Sequence, residues 1–380
     1  MPYAFANGTG TAEDPYQVAT ADDLNGVRDY LDAHFIQMAD IDLSGYENWE
    51  PIGTSNSFAG IYDGNGYKIC NMTINKTSLT ADTYLGLFAQ LIDSAIVKNV
   101  NLSGTITVVG ITRKRLYCGG LAGASSSTGS RQVVIQDCAI DIKITLSSID
   151  AWGYVGGIVG DGYFKTLKRC SAVTEMDISC SYIMWTGGLV GYMESIAEVD
   201  SCKVSGNFTI LSTYPYGGTK CGGITAGDGA SISRSYALST MVVTDGSATA
   251  YPEVGGIAAT GSSGVVYSNC YAIGSVSILK GRTTRIGGIC YNNAGISCYF
   301  NSDTWLINNG SSSPKTTTEM KQQSTYVDWD FTDVWGIDPA KNDGYPYLLW
   351  QVTDDIQPSP TPRKILPITY PAKYPMTYPN

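Results

Sequence analysis

A glycine pair followed by an aliphatic residue recurs six times between Tyr117 and Tyr299. The six sites are Gly119-Gly120-Leu121, Gly156-Gly157-Ile158, Gly187-Gly188-Leu189, Gly222-Gly223-Ile224, Gly255-Gly256-Ile257 and Gly287-Gly288-Ile289. Successive first glycines lie 37, 31, 35, 33 and 32 residues apart by subtraction. A second landmark follows each pair: Ile135-Gln136-Asp137-Cys138, Leu167-Lys168-Arg169-Cys170, Val199-Asp200-Ser201-Cys202, Ile232-Ser233-Arg234-Ser235, Val266-Tyr267-Ser268-Asn269-Cys270 and Ile296-Ser297-Cys298. Two landmarks in fixed order at a near-constant period define a repeat protein. That overrides the two or three ordinary domains that 380 residues would otherwise suggest.

The period is too short for a propeller blade, and the repeats lack the helical spacing of ankyrin or tetratricopeptide solenoids. Stretches such as Asp141-Ile142-Lys143-Ile144-Thr145-Leu146 and Gly206-Asn207-Phe208-Thr209-Ile210 alternate as strands with one inward face do. The expected fold is all-β, a right-handed parallel β-helix: a solenoid with one coil of three short strands per repeat of ~33 residues. The 43 glycines and 15% charged residues suit a chain of many tight turns. At each corner a glycine pair permits both the backbone conformation and the close stacking that a Cβ would obstruct.

Residues 1–50 read as an entry cap. Thr20 precedes Asp22 and Asp23, and Leu24, Val27, Tyr30 and Leu31 share a face, predicting a short amphipathic helix over the open end of the stack. The lone histidine, His34, is expected at the surface. Residues 51–300 carry the coils, beginning with two short strands around Asp63-Gly64-Asn65-Gly66. Leu85-Gly86-Leu87 then stands where a glycine pair would be, one period before Gly119. Residues 301–356, with Trp305, Trp329, Trp335, Trp350 and a short helix predicted at 318–323, read as an exit cap. Residues 357–380 hold seven prolines, with Tyr370-Pro371, Tyr374-Pro375 and Tyr378-Pro379 spaced by four. No central strand or helix accommodates that density, so the segment reads as an extended arm.

Of the ten cysteines, Cys138, Cys170, Cys202, Cys270 and Cys298 share one repeat position. Stacked coils would set them about 4.8 Å apart with parallel side chains, which suits a disulfide dihedral poorly. Buried free thiols are expected. No spacing resembles a zinc site, and no metal or cofactor is expected. The net charge of −10, with 24 basic residues spread thinly, argues against nucleic acid. No apolar run reaches the roughly 18 residues of a membrane helix. With Met1 as the start, the chain opens with neither a basic segment nor an apolar core, so export by a cleaved signal is not expected.

The residues before the glycine pairs, Cys118, Val155, Thr186, Cys221, Val254 and Ile286, are mostly apolar and should point inward. By alternation the preceding ones, Tyr117, Tyr154, Trp185, Lys220, Glu253 and Arg285, should point out. Stacking then predicts an external ladder of three aromatics followed by alternating charges. It could serve as a glycan platform, as an interface with a sister chain, or as a stability ladder worth about 0.5–1.5 kcal/mol per aromatic pair. Trp152, Tyr214, Tyr216 and Tyr251, in the variable loops just upstream, add to the binding reading.

A polysaccharide-degrading β-helix would need carboxylates clustered across adjacent coils. The residues before the cysteine position read Asp137, Arg169, Ser201, Arg234, Asn269 and Ser297, which gives no acidic cluster. Glu194, Glu198 and Asp200 lie close together and read as solvated turn charges. The chain is therefore expected not to be an enzyme.

The Gly-Gly-Leu/Ile-Val-Gly phrase, with Ser268-Asn269-Cys270-Tyr271-Ala272 downstream, resembles the GLUG motif. The resemblance covers roughly residues 50–350, and Phe58-x-Gly60 followed by Asp63-Gly64-Asn65-Gly66 is similar to entry coils of the same right-handed β-helix proteins. Those proteins include bacterial surface adhesins, the non-catalytic parts of immunoglobulin A1 protease-type proteins, and phage tail proteins. The resemblance implies a structural or adhesive role. The favoured expectation is a virion component, a tail fibre or spike for host attachment, assembled in the host cytoplasm. Its partners would be other virion proteins or sister subunits, such as a homotrimer joined through the arm at Tyr370, Pro371, Tyr374, Pro375, Tyr378 and Pro379. A host-surface glycan is a further expected partner, and membrane insertion is not expected. The alternative is a fragment of a bacterial cell-surface adhesin.

Overall fold

The computed structural model describes residues 1–126, 133–193, 197–214, 218–227, 229, 231–246, 251–262, 264–280, 285–293, 295–310 and 312–352. It is the expected parallel β-solenoid. One sheet stacks nine short parallel strands in chain order: Tyr16–Val18, His34–Gln37, Ile61–Asp63, Ile96–Lys98, Val134–Gln136, Thr166–Lys168, Glu198–Asp200, Ser231–Ser233 and Tyr267–Ser268. A second holds the long strands, among them Asn101–Gly119, Ala139–Gly156, Ser171–Cys180, Lys203–Ser212, Tyr236–Asp245 and Tyr271–Lys280. A third stacks Phe88–Ile92, Ala122–Ser126, Val159–Gly162 and Val190–Met193. Single bridges through Thr225 and Ala258 extend it. Leu, Ile, Val, Phe and Cys side chains from all three sheets fill the interior.

The three sheets meet at corners with different chemistry. At the glycine pairs the chain folds back so tightly that the third sheet packs backbone against the second. A Cβ at Gly123 would sit 2.7 Å from the Leu85 amide nitrogen, and one at Gly160 would sit 2.8 Å from the Tyr154 carbonyl oxygen. None of the paired glycines has a positive φ. Close approach alone explains them, not the special backbone conformation also expected from the sequence.

The left-handed conformation belongs to the opposite corner, where non-glycine residues take it. Asn99, Asp137, Arg169, Ser201, Arg234, Asn269 and Ser297 have φ of 55°, 55°, 48°, 54°, 46°, 52° and 49°. That geometry costs an L-residue about 1–2 kcal/mol. Each coil offsets the cost with an amide bond to the next: Asp137 N–H donates to the Lys168 carbonyl at 3.0 Å, Arg169 to Asp200 at 3.0 Å and Arg234 to Ser268 at 3.0 Å. The following residue turns inward. Cys138, Cys170, Cys202 and Cys270 donate their thiols to the carbonyl two residues back at 3.2, 3.3, 3.3 and 3.2 Å. Ser235 does the same at 2.7 Å. Cysteine suits the position because it is a small apolar group with one weak donor, and the turn leaves a carbonyl in reach. All ten cysteines are free thiols, nine of them buried.

Two expectations need correction. The strands Ile61–Asp63 and Lys68–Leu79 flank the Asp63-Gly64-Asn65-Gly66 turn but do not pair with each other; they enter different sheets and pair with neighbouring coils. His34 is half-buried, because it opens a strand paired with Ile61.

The helix over the first coil is shorter than predicted, Ala21–Gly26 followed by a 3-10 turn at Val27–Asp29. Thr20 and Asp23 form a reciprocal capping box at its start, and Leu24 and Val27 enter the core. At the other end Ser313–Lys315 adds a last strand to the long sheet. The chain then turns back along the outside of the solenoid. Residues 317–352 cover the stacked rings of Tyr236 and Tyr271, 4.8 Å apart, with Tyr326, Trp329 and Trp335. Indole N–H groups of Trp329 and Trp350 donate to the carbonyls of Ser297 and Ser201 at 2.9 and 3.0 Å.

Gly120→Ala should destabilise the fold by about 1–3 kcal/mol, since its Cβ would overpack an occupied corner. That Cβ would meet the Gly157 carbonyl oxygen at 2.7 Å and Ile140 Cγ2 at 2.6 Å. Gly45→Ala, with nothing within 4 Å of the new Cβ, should stay within about 0.5 kcal/mol of the parent in the same denaturant titration.

Candidate functional site

The residues before the glycine pairs point inward, with Cys118, Val155, Thr186, Cys221, Val254 and Ile286 all buried. Those preceding them are in register from coil to coil, Tyr84 against Tyr117, Tyr117 against Tyr154, Tyr154 against Trp185, Trp185 against Lys220, and Lys220 against Glu253. Tyr84 and Tyr117 stack at 4.5 Å and 3°, and Tyr117 and Tyr154 at 5.4 Å and 24°. Trp185 meets Tyr154 edge-on at 6.1 Å. The charged half continues the line. Lys220 Nζ lies 4.3 Å from the Trp185 ring centre and 3.0 Å from Glu253, which also takes Arg285 at 2.6 Å. Arg285 in turn lies over Tyr251 and Tyr291.

This stacking decides what the column can do. Tyr117 is 6% exposed and both of its faces are taken by its neighbours. A sugar ring needs an aromatic face, and Tyr84, Tyr117 and Tyr154 turn theirs toward one another. Their arrangement is that of a stabilising spine.

A second column runs beside it, from Arg115 and Trp152, which lie within paired strands and not in the loop expected for Trp152, to Tyr182 and Tyr214 between strands. The Arg115 guanidinium lies 6.0 Å from the Trp152 ring, Trp152 meets Tyr182 at 5.8 Å and 77°, and Tyr182 meets Tyr214 at 4.7 Å. Trp152 is 40% exposed, while Tyr182 and Tyr214 are half-buried. Here the rings are tilted and part of their surface faces water. Tyr216 and the arm residues Tyr370, Pro371, Tyr374, Pro375, Tyr378 and Pro379 lie outside the described residues.

Reading the sequence missed Tyr84, Tyr182 and Tyr192. Tyr84 was findable, since it precedes Gly86 by the two residues that separate Tyr117 from Gly119. Tyr182 is hidden because it lies between the strands ending at Cys180 and starting at Met184, whereas Trp152 lies within one continuous strand. Tyr192 packs on Trp185 at 4.6 Å from the third sheet, but its register partner on the preceding coil is Asp161, so no aromatic column signals it.

Asp200 also departs from expectation. It is 1% exposed, not a solvated turn charge. Its Oδ1 accepts from Arg234 Nε at 2.7 Å and Ser233 Oγ at 2.9 Å, and Lys168 lies 3.4 Å from Oδ2. Burial pushes this carboxyl up, but the Arg234 bond and charge, with Ser233 and Lys168, outweigh it and hold it below the usual range. Among the described residues, no group of three or more His, Cys, Asp or Glu is placed to hold a metal ion. Among the same residues no helix is long and apolar enough to cross a membrane.

No family model matches the chain. A relative from Evansella cellulosilytica, provisionally named a Gly-rich membrane protein, is 28% identical over 417 aligned residues, covering 90% of this chain and 45% of the relative. Halomucin of Haloquadratum walsbyi is 29% identical over 187 residues, 45% of this chain and 2% of that protein. The chain thus spans less than half the length of either curated relative. A solved structure from Bacteroides ovatus, provisionally described as an immunoglobulin A1 protease, aligns over 91% of this chain and 95% of its own. Its TM-score is 0.59 at 20% identity. The likeness is one of fold.

The spine has a consequence for alkaline stability. Burial, then the Asp161 carboxylate and the Tyr117 phenol, push the Tyr154 phenol up to about 12. The unfolded value is ~10, so folding favours the neutral phenol. That contribution is whole below pH ~10 and is lost as pH rises toward ~12. Tyr154→Phe should therefore show a shallower fall of urea midpoint across this window than the parent. Equal slopes would contradict the assignment.

Proposed function

We propose that this chain is a non-catalytic, surface-displayed β-solenoid that binds an extended carbohydrate along the Arg115–Trp152–Tyr182–Tyr214 column. The observation that carries the reading is Trp152, a large ring left 40% exposed between a guanidinium and a second aromatic. Aromatic rings that keep some surface in water, with a cationic donor beside them, suit a ligand that is apolar on its ring faces and polar at its edges. The coils that carry the column repeat every ~4.8 Å along the axis, on the scale of one sugar residue. Such a surface would meet a polymer repeat by repeat.

The non-catalytic part of the reading is supported by the outward carboxylates. Asp137, Asp200 and Glu253 are each held in ion pairs with basic residues of neighbouring coils. Display at a cell surface is favoured over the tail-fibre role, since one relative carries the name of a membrane protein and both are much longer chains. On this reading the repeats are GLUG-type coils serving as a module of an adhesin.

The test is binding to a panel of soluble bacterial, plant and animal polysaccharides by affinity electrophoresis. Trp152→Ala should weaken retardation by at least about tenfold, ~1.4 kcal/mol, without lowering the melting temperature. Tyr117→Phe, within the stacked spine, should bind as the parent does. Failure of the parent on the whole panel, or parent-like binding by Trp152→Ala, would sink the reading.

A further inference from the structure

The strand Asn101–Gly119 carries an extra residue where the exposed column begins. Asp150 pairs with Thr112 and Trp152 with Arg115, so Arg113 and Lys114 together face the single residue Ala151. This is a β-bulge, which interrupts the pairing and re-aims the side chains around it. Arg113 takes a φ of 53° there, and Arg113, Lys114 and Arg115 are all exposed. The bulge thus sets three consecutive basic side chains on the surface at the Trp152 end of the column.

Their charge is not neutralised within the fold. Arg169, Arg234 and Arg285 are each held by a carboxylate of a neighbouring coil. Among the described residues, Arg113 and Lys114 have no such partner. Arg115 lies over Trp152 at 6.0 Å, and its amide donates to the Asp82 carboxylate at 3.0 Å. In a chain of net charge −10, two uncompensated cations beside open aromatic rings mark a place for an anionic group. A guanidinium meets a carboxylate through paired N–H donors, while the neighbouring ring takes the apolar face of the sugar that bears it.

The coils on either side are acidic. Asp82 precedes the bulge by one coil, and Asp150 follows it by one, half-buried and bonded to Ser181 at 3.4 Å. Coils repeat every ~4.8 Å, about one sugar residue. A polymer charged on every unit, whether a polyuronate or a nucleic acid, would lay its next anionic group against Asp82 or Asp150. A polymer whose acidic units are separated by neutral ones would set one charge at the bulge and neutral rings on Trp152 and Tyr182.

We propose that the polymer bound along the column is an acidic heteropolysaccharide with its carboxylated sugars separated by neutral ones, one carboxylate being held by Arg113 and Lys114. This rests on the carbohydrate reading of the column and adds the charge and charge spacing of the ligand.

The probes are hyaluronan, with a carboxylate on every second sugar, and deacylated gellan, with one on every fourth, each beside its carboxyl-reduced neutral form. Polygalacturonate, charged on every sugar, and single-stranded oligothymidylate are the densely charged counterparts. Binding is read on the full chain by fluorescence anisotropy of end-labelled fragments. At least one of the two acidic polymers should bind at least about tenfold tighter than its reduced form in about 20 mM NaCl, and about 500 mM NaCl should close most of that gap. The double variant Arg113→Gln/Lys114→Gln should abolish the gap without weakening the reduced form or lowering the melting temperature. Asp150→Asn should strengthen polygalacturonate binding several-fold and leave the sparsely charged polymers within about twofold of the parent. Equal binding of acidic and reduced forms, tightest binding by polygalacturonate or oligothymidylate, or no binding of either acidic polymer overturns the proposal. Equal binding that Trp152→Ala abolishes overturns the charge assignment and leaves the column reading standing. Acidic binding lost in the double variant but intact in Trp152→Ala overturns the column reading, and with it the placement proposed here.

Discussion

Hydrogen bonding from each coil to the next carries the whole molecule. A parallel solenoid has no hairpins to satisfy its amides locally, so every strand and corner depends on a neighbour one period away. The left-handed corner shows how far this dependence goes. Arg169, Ser201 and Arg234 hold φ near 50°, where an isolated arginine or serine would be strained. They stay because the amide of each is bonded to the next coil and two of the side chains are tied by ion pairs. The glycine corner depends on the same stacking, since its missing Cβ atoms let two sheets meet backbone to backbone.

Given that frame, outward side chains become columns, and a column is a one-dimensional contact problem. Parallel faces at one-coil spacing give Tyr84, Tyr117 and Tyr154 a closed stack. Tilted rings, as at Trp152 and Tyr182, leave surface open. The two columns are built from the same residue types and differ in how the rings meet, face to face in one and tilted in the other.

Much of the architecture was legible because it is periodic. Gly119 to Gly287 gave the coil, Cys118 to Ile286 gave the inward positions, and Tyr117 to Arg285 gave an outward line that the register reproduces. What was not legible lacks a period or is set by distant chain. Nothing near Asp200 announces that Trp350, 150 residues later by subtraction, will close over its neighbourhood. Nor does a single Tyr192 show that it will pack on Trp185. The glycine pair was assigned a conformational role because glycine usually has one, whereas here steric crowding alone decides. The cysteine position was recognised as buried, but its thiol donor to the carbonyl two residues back emerges only when the corner geometry is known.

The fold-back also sets the mechanics of the rod. From Asn269, whose amide reaches the Asp328 carbonyl, the contacts pass to Tyr236, bonded to Gln351, and end at Ser201 beneath Trp350. Tension applied at residue 352 therefore does not peel the last coil first. It loads several coils side by side in shear, so their bonds must fail together rather than in turn. The terminal coils, which in a bare solenoid would be the weakest, are clamped by a lateral strap.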